Sequence, residues 1–137
     1  MKLVNLDHIG IAVRDLDAAV EHYRNRFGVE PLSREVVAQQ GVEEAMIPVG
    51  GSFVQLLAPL GPDTPVGRFL ETKGEGMHHV AFAVADIEAA IEHLRAQGAR
   101  LIDEIPRIGG GGAKIAFIHP KDTTGTLIEL VEPSDGH

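Results

Sequence analysis

Apolar and polar residues alternate near the start of the chain with the period of a β-strand, and a helical period follows. The first strand is predicted over Leu3–Val13 and the helix over Leu16–Phe27. Asp15 is a suitable N-cap, because its side chain can accept from the free amides of the first turn, and Gly28 is a suitable end. Three more strands are predicted, over Pro31–Gln39, Val42–Val49 and Ser52–Ala58.

The same order of patterns returns in the second half of the chain. A strand is predicted over His79–Val84, followed by a helix that Asp86 caps and that ends near Gln97, before Gly98. Strands are then predicted near Arg100–Ile102, Ala113–His119 and Thr126–Val131. Each half therefore has the order βαβββ.

The two halves also match residue by residue. The eighteen residues that begin at Asp7 are identical at nine positions to those that begin at His78. A second pair of similar segments, SFVQLLAP and TLIELVEP, places Gln55 in the position of Glu129. A duplication predicts an α+β fold of two tandem βαβββ modules within one domain, residues 1–137. The modules span about residues 3–60 and 76–133, and Leu60–Gly76, rich in Pro and Gly, links them.

Four polar residues occupy equivalent positions in this repeat. Strand alternation places His8 and His79 opposite the apolar faces of their strands, next to small residues. The same alternation places Gln55 and Glu129 opposite the apolar faces of the last strands. If the modules pair about a pseudo-twofold axis, the four side chains converge, with a curved mixed sheet around a metal-centred cavity. Small residues beside them would leave room for a substrate.

Two imidazoles, a carboxylate and an amide are a suitable ligand set for a divalent ion that keeps open positions. The chain has no cysteine, so a thiolate site is excluded. A single inward histidine is more often a hydrogen-bonded core residue than a ligand, but equivalence in the repeat favours the metal. The other histidines are weaker candidates: His22 and His93 are expected in solvent, His137 is terminal, and His78 and His119 are undecided.

The net charge and the hydropathy of the chain indicate which classes of binding partner to expect. The formal net charge is −8 and basic residues are scattered, so nucleic acid is not expected as a partner. No apolar run has the length of a membrane span, and the N-terminus lacks the apolar core of a signal peptide. We therefore expect no membrane association and a cytoplasmic location.

The duplication with His8, Gln55, His79 and Glu129 resembles the vicinal oxygen chelate superfamily, which includes glyoxalases, bleomycin resistance proteins and dioxygenases. DHIGIAV, GMHHVAF, HPKDTTGTLIEL and the segment Pro62–Leu70 are similar to the methylmalonyl-CoA epimerase family within it. This resemblance implies epimerisation of (R)- and (S)-2-methylmalonyl-CoA through a metal-stabilised enolate. It also implies an acyl-CoA substrate, a homodimer and a divalent ion, cobalt first, with manganese, nickel, zinc or magnesium as alternatives.

Epimerisation requires a base on each face of the planar enolate. The resemblance implies Glu129 as one of them, in addition to its role as a ligand. Glu44 matches the second glutamate of the family, and alternation gives it the face shared by Val42 and Met46. Glu43 is the alternative, and both could instead be a solvated pair at a hairpin.

The residues that would hold the CoA phosphates are less defined. Lys121 and the run Gly109–Gly112 could contact them, because glycine amides can approach anions closely. An ordinary hairpin explains the glycines better, and Lys114 and Arg107 are further candidates.

Three other functions fit the same fold. A glyoxalase I-like lactoylglutathione lyase would typically carry Glu in place of Gln55, and an iron-dependent ring-cleaving dioxygenase would leave Gln55 without a role. A metal-free protein that binds a small molecule would have lost the ligands. The presence of all four ligands argues against that last class.

Overall fold

The structure is a computed structural model that describes residues 1–134. The chain divides into two compact units. The first unit comprises His8–His78, and the second comprises Met1–Asp7 together with the described chain from His79 onward. Each unit combines a mixed sheet with at least one helix, so the predicted α+β class is confirmed.

The first unit contains one βαβββ module and an additional helix. Its elements are β1 (Asn5–Ala12, mostly in this unit), α1 (Leu16–Phe27), β2 (Ser33–Val37), β3 (Val42–Val49), β4 (Ser52–Pro59) and α2 (Pro65–Lys73). The strand order is β2-β3-β4-β1, in which β1 and β4 are parallel and the other pairs are antiparallel. The strand predicted over Pro31–Gln39 is shorter than expected, because Ala38–Gln40 forms a 3-10 turn.

The second unit repeats this plan. Its elements are β5 (Gly76–Ala83, mostly in this unit), α3 (Ile87–Ala96), β6 (Arg107–Ile108), β7 (Lys114–Ile118) and β8 (Ile128–Glu132). The order is β6-β7-β8-β5, with β5 and β8 parallel and the others antiparallel. The predicted duplication of a βαβββ module is confirmed.

Both module helices begin at the predicted caps. Asp15 accepts a hydrogen bond from the amide of Ala18 at 3.0 Å, and Asp86 accepts one from Ala89 at 3.1 Å. Gly28 ends α1 with a φ of 67°, a left-handed conformation that costs glycine little. The start of each helix is therefore encoded by one equivalent aspartate.

Each sheet has one face covered by its module helix. In the first unit, Val13, Leu16 and Val20 pack with Ile47 and Leu56. In the second unit the equivalent cluster combines residues of α3 with those of β7 and β8: Ile87, Ala90, Ile91, Ala116, Ile118 and Leu130. The opposite faces hold the polar residues singled out by the repeat.

The predicted linker Leu60–Gly76 contains helix α2, which the sequence pattern did not indicate. Thr64 caps it by accepting from the amide of Gly67 at 3.0 Å. Its apolar residues Val66 and Leu70 pack with Leu57 of β4, on the face opposite α1. The helix therefore covers part of the face that also carries the candidate site.

The strand predicted over Arg100–Ile102 was wrong. Leu101 forms only an isolated bridge to Ile118, and the strand that pairs with β7 is β6. Asp103 explains the break, because its carboxylate accepts the hydrogen bond of the Phe117 amide at 2.9 Å, where a strand would supply a carbonyl. Within the described residues, no helix is long and apolar enough to cross a membrane.

Candidate active site

His8 and Gln55 lie on the same face of the first unit's sheet. Strand register aligns Gly10 of β1 with Gln55 of β4, and His8 is two residues from Gly10 along the strand. Both polar side chains are buried, with 5% exposure for His8 and 9% for Gln55. A buried imidazole and a buried amide on one face, next to glycine, agree with the predicted arrangement.

The amide of Gln55 has two different environments. Its Nε2 donates to Oε1 of Glu44 at 2.9 Å. Its Oε1 is buried and has no hydrogen-bond partner among the described residues. A buried acceptor without a hydrogen bond destabilises the folded protein by about 1–3 kcal/mol. A bound cation would remove this cost, so the Gln55 oxygen is a suitable ligand for one.

The structure distinguishes the two adjacent glutamates of β3. Glu44 is 5% exposed and lies on the face of Gln55. Glu43 lies on the other face and pairs with Arg34, its Oε2 3.0 Å from Nε. Arg34 also lies 2.7 Å from Asp17, and hydrogen bonds from Arg34 to Glu43 and Asp17 raise the pKa of its guanidinium. Glu43 therefore has a surface role, and Glu44 is the buried carboxylate.

His79 and Glu129 form the equivalent pair in the second unit. Register aligns Ala81 of β5 with Glu129 of β8, as Gly10 is aligned with Gln55 in the first unit. His79 Nε2 lies 3.1 Å from Glu129 Oε1, and both side chains are buried. This distance is that of a direct contact between the two side chains, and an imidazole nitrogen and a carboxylate oxygen are also atoms that bind divalent ions.

Comparison with known proteins shows the family to which the chain is similar. Residues 7–117 match the family described as the glyoxalase/bleomycin resistance protein/dioxygenase superfamily. The ethylmalonyl-CoA/methylmalonyl-CoA epimerase of Cereibacter sphaeroides is 40% identical over 127 residues, covering 91% of this chain and 95% of that protein. The mitochondrial methylmalonyl-CoA epimerase of Homo sapiens is 37% identical over 129 residues, covering 93% of this chain and 73% of that protein.

A solved structure extends the likeness to three dimensions. A variant of Streptomyces coelicolor methylmalonyl-CoA epimerase, in complex with 2-nitronate-propionyl-CoA, superposes with a TM-score of 0.95. It is 45% identical, covering 98% of this chain and 97% of that chain. The chain belongs to the methylmalonyl-CoA epimerase family. Its relatives in that family are isomerases, and the vicinal oxygen chelate superfamily expected from the sequence is confirmed.

In this member of the epimerase family, the two modules differ at the position of Glu44. Register aligns Glu44 with Leu57, two residues beyond Gln55 along β4. The equivalent alignment in the second unit joins Val131 and Ile115, so isoleucine stands where the first unit has Glu44. At this position the first module therefore has a carboxylate and the second has an apolar side chain.

Four other histidines lie within the described residues. His22 and His93 are exposed on α1 and α3, as expected. His78 contacts the ring of Phe69 edge-to-face at 4.9 Å, and His119 Nδ1 accepts from the amide of Lys121 at 3.1 Å. His137 lies outside the described residues.

The residues that the sequence suggested as contacts for the CoA phosphates lie in different surroundings. Gly109–Gly112 joins β6 to β7 as a hairpin, with Gly109 donating to Ala113 at 2.8 Å. Lys114 lies 3.3 Å from Glu88, and Lys121 is exposed. Arg107 lies 2.9 Å from Asp103, a partner that the sequence pattern gave no reason to expect.

Proposed function

We propose that this chain is a metal-dependent epimerase of 2-methylmalonyl-CoA and that the two units act as one domain around one divalent ion. His8, Gln55, His79 and Glu129 would hold the ion. The observation that carries the proposal is the buried Gln55 amide, which is fixed through Nε2 while its oxygen has no partner in the described chain. The equivalence of the two pairs in the repeat supports a shared ion.

The donor set suits the ion. Neutral imidazole nitrogens bind divalent transition metals well, a carboxylate adds charge, and an amide oxygen adds a weak neutral ligand. The protein ligands then carry a total charge of about −1, which leaves positive charge for substrate oxygens. Cobalt is our first choice, with manganese, nickel, zinc and magnesium as alternatives.

The residues on the site faces can perform the proton transfers. When bound, the ion would withdraw charge from the thioester and carboxylate oxygens on either side of the substrate's α-carbon. Glu44 would remove the α-proton from one face, held in orientation by the Gln55 amide 2.9 Å away. Glu129, in its protonated form, would return a proton to the α-carbon from the opposite face, and the two residues would exchange these roles when the other epimer is the substrate. The apolar residues beside Glu44 would exclude water from the reacting carbon.

Substrate, assembly and location follow from the same proposal. The relatives that are named methylmalonyl-CoA epimerases support methylmalonyl-CoA as the substrate. Met1, Leu3 and Val4 are about half exposed, at 51%, 48% and 57%, which supports a homodimer in which this apolar segment is covered. We place the protein in the cytoplasm, with no nucleic acid or membrane partner.

Proton exchange at the α-carbon tests the function directly. Methylmalonyl-CoA in deuterated water would be incubated with protein reconstituted with cobalt, beside protein treated with a chelator. We expect the α-proton NMR signal to disappear with epimerisation only in the reconstituted sample. The same experiment would be repeated with manganese, nickel, zinc and magnesium. Absence of exchange with all five ions would refute the assignment as an epimerase, and methylglyoxal hemithioacetal would be tested next as a lyase substrate.

A further inference from the structure

The carboxylate of Asp103 connects the loop before β6 to the middle of the second unit's sheet. Its Oδ2 accepts from the backbone amide of Phe117 at 2.9 Å. Its Oδ1 lies 2.9 Å from Nε of Arg107. The Asp103 side chain is 12% exposed and the Arg107 side chain is 37% exposed, so the carboxylate is sheltered while the guanidinium reaches solvent.

Phe117 carries this contact to the candidate ligands. One side of its ring faces Arg107, whose guanidinium carbon lies 5.9 Å from the ring centroid. The imidazole of His79 contacts the ring edge-to-face, with centroids 5.6 Å apart and planes at 87°. Phe117 is also the cross-strand neighbour of Glu129, so its ring borders both members of the pair.

An imidazole needs more than one contact to be held in a fixed orientation. The approach of His79 Nε2 to Glu129 limits the tilt of the ring, and the edge-to-face contact with Phe117 limits its rotation. We infer that Asp103 is a positioning residue for His79, acting through the backbone of Phe117 and the guanidinium of Arg107. The function in metal binding rests on the proposed function, whereas the positioning of the ring stands on the contacts alone.

The first unit lacks this device. The residue that pairs with Gln55, as Phe117 pairs with Glu129, is Met46, which is only partly buried. A methionine side chain is flexible and gives no planar surface. Asp103 should therefore affect His79 and leave His8 unchanged, which makes the inference specific.

The experiment compares three variants with the wild type. Asp103→Leu removes both interactions of the carboxylate, and Asp103→Asn keeps an acceptor for the Phe117 amide but removes the charge. Glu104→Gln is the matched control, because it removes the adjacent charge, whose side chain is 68% exposed and lies 3.4 Å from Arg95. Ring-proton shifts of His79 and His8 in chelator-treated protein and the Kd of cobalt are measured for each.

We expect Asp103→Leu to move the His79 ring protons, since their distance from the Phe117 ring changes, and to raise the cobalt Kd by about 10- to 100-fold. Asp103→Asn should give a smaller change in the same direction. The His8 signals and the Glu104→Gln control should match the wild type. If Asp103→Leu does not fold, Asp103→Asn and Phe117→Leu provide the same two readouts.

Three results would overturn the inference: unchanged His79 shifts in both Asp103 variants, an equal shift for His8, or the same effect in Glu104→Gln. Failure of the proposed function gives a different result. In that case the wild type binds cobalt without exchanging the α-proton, and the Asp103 variants still shift the His79 signals.

Discussion

Gln55 donates from Nε2 to Oε1 of Glu44 over 2.9 Å, and both side chains are buried. A carboxylate accepts hydrogen bonds and repels an amide oxygen, so this contact determines which end of the amide faces Glu44. The oxygen must then point elsewhere, and it has no partner in the described chain. One hydrogen bond thus connects a proposed ligand to a proposed base.

Replacing the amide by a carboxylate should separate these two roles. In Gln55→Glu a ligand oxygen is retained, so we expect the cobalt Kd to be no weaker than in the wild type. The second carboxyl oxygen would face Glu44 in place of the donor, and two carboxylates this close disfavour each other's charge. We expect α-proton exchange to slow by about 10²-fold or more, as when a catalytic proton transfer is impaired, measured by NMR in deuterated water.

Gln39→Glu is the control for this substitution, because Gln39 is exposed in the turn after β2 and the change of charge is the same. Wild-type exchange in Gln55→Glu would show that the amide does not support Glu44. A loss of exchange in the control would assign the effect to net charge.

Glu44→Gln should leave metal binding within about twofold of the wild type and slow α-proton exchange by roughly 10²- to 10⁴-fold. The amide keeps the shape of the side chain but cannot accept the proton. Exchange started separately from the (R) and (S) epimers would show which face of the substrate Glu44 serves.

Glu43→Gln is the matched control for Glu44→Gln. It should retain activity and lose only the surface pair with Arg34, whose effect on stability is expected to be small, about 0–1 kcal/mol. Unchanged exchange from both epimers in Glu44→Gln would remove this residue from the mechanism.

The sequence predicted the parts of the site that depend on strand alternation. His8 and His79, and likewise Gln55 and Glu129, could be assigned to faces because a strand has a period of two and the repeat provides an independent second copy. Glu44 was preferred to Glu43 because it matches the second glutamate of the family that the sequence resembles, and strand alternation agreed with that choice. The burial of Glu44 agrees with it as well. The roles of these residues remain predictions.

The sequence did not predict contacts that depend on loops and long-range packing. Asp103 directly follows the segment Arg100–Ile102 that was predicted as a strand, and its hydrogen bond with the Phe117 amide spans fourteen residues of sequence. Helix α2 was missed because the segment Leu60–Gly76 was interpreted as a linker on its content of Pro and Gly, although Pro65 lies in the first helical turn, where proline is well tolerated. Thr64 was the available signal, since a threonine followed by proline is typical of a helix start.

The packing of α2 can be tested by Gly67→Ala. A Cβ atom at this position would lie 2.5 Å from the carbonyl oxygen of Gly61 and 2.8 Å from that of Pro62. These are backbone atoms that cannot move cheaply, so we expect a loss of about 1–3 kcal/mol in the free energy of unfolding, measured by urea denaturation.

Gly51→Ala is the control for this test, because a Cβ atom there meets nothing within 4 Å. It should change stability by no more than about 0.5 kcal/mol. If Gly67→Ala is as stable as the control, α2 is not packed against the preceding turn as described.

Separate substitution of the two histidines tests whether the units share one ion. If each unit bound its own ion, His8→Ala would still bind cobalt through His79 and Glu129. If the four ligands hold one ion, the wild type binds one cobalt per chain. His8→Ala and His79→Ala should then each weaken binding of this cobalt ion, raising its Kd by more than about 100-fold. Loss of a residue that only orients a ligand typically reduces metal affinity about 10- to 100-fold, and loss of the ligand itself should reduce it further.

His22→Ala and His93→Ala are the matched controls for the histidine test. They occupy equivalent positions of the repeat, and both are exposed on helices. Stoichiometry from isothermal titration should remain one cobalt per chain in both. Retention of one tightly bound ion in either His8→Ala or His79→Ala would contradict the shared centre. Two ions per wild-type chain would contradict it as well, because each pair of ligands would then act alone.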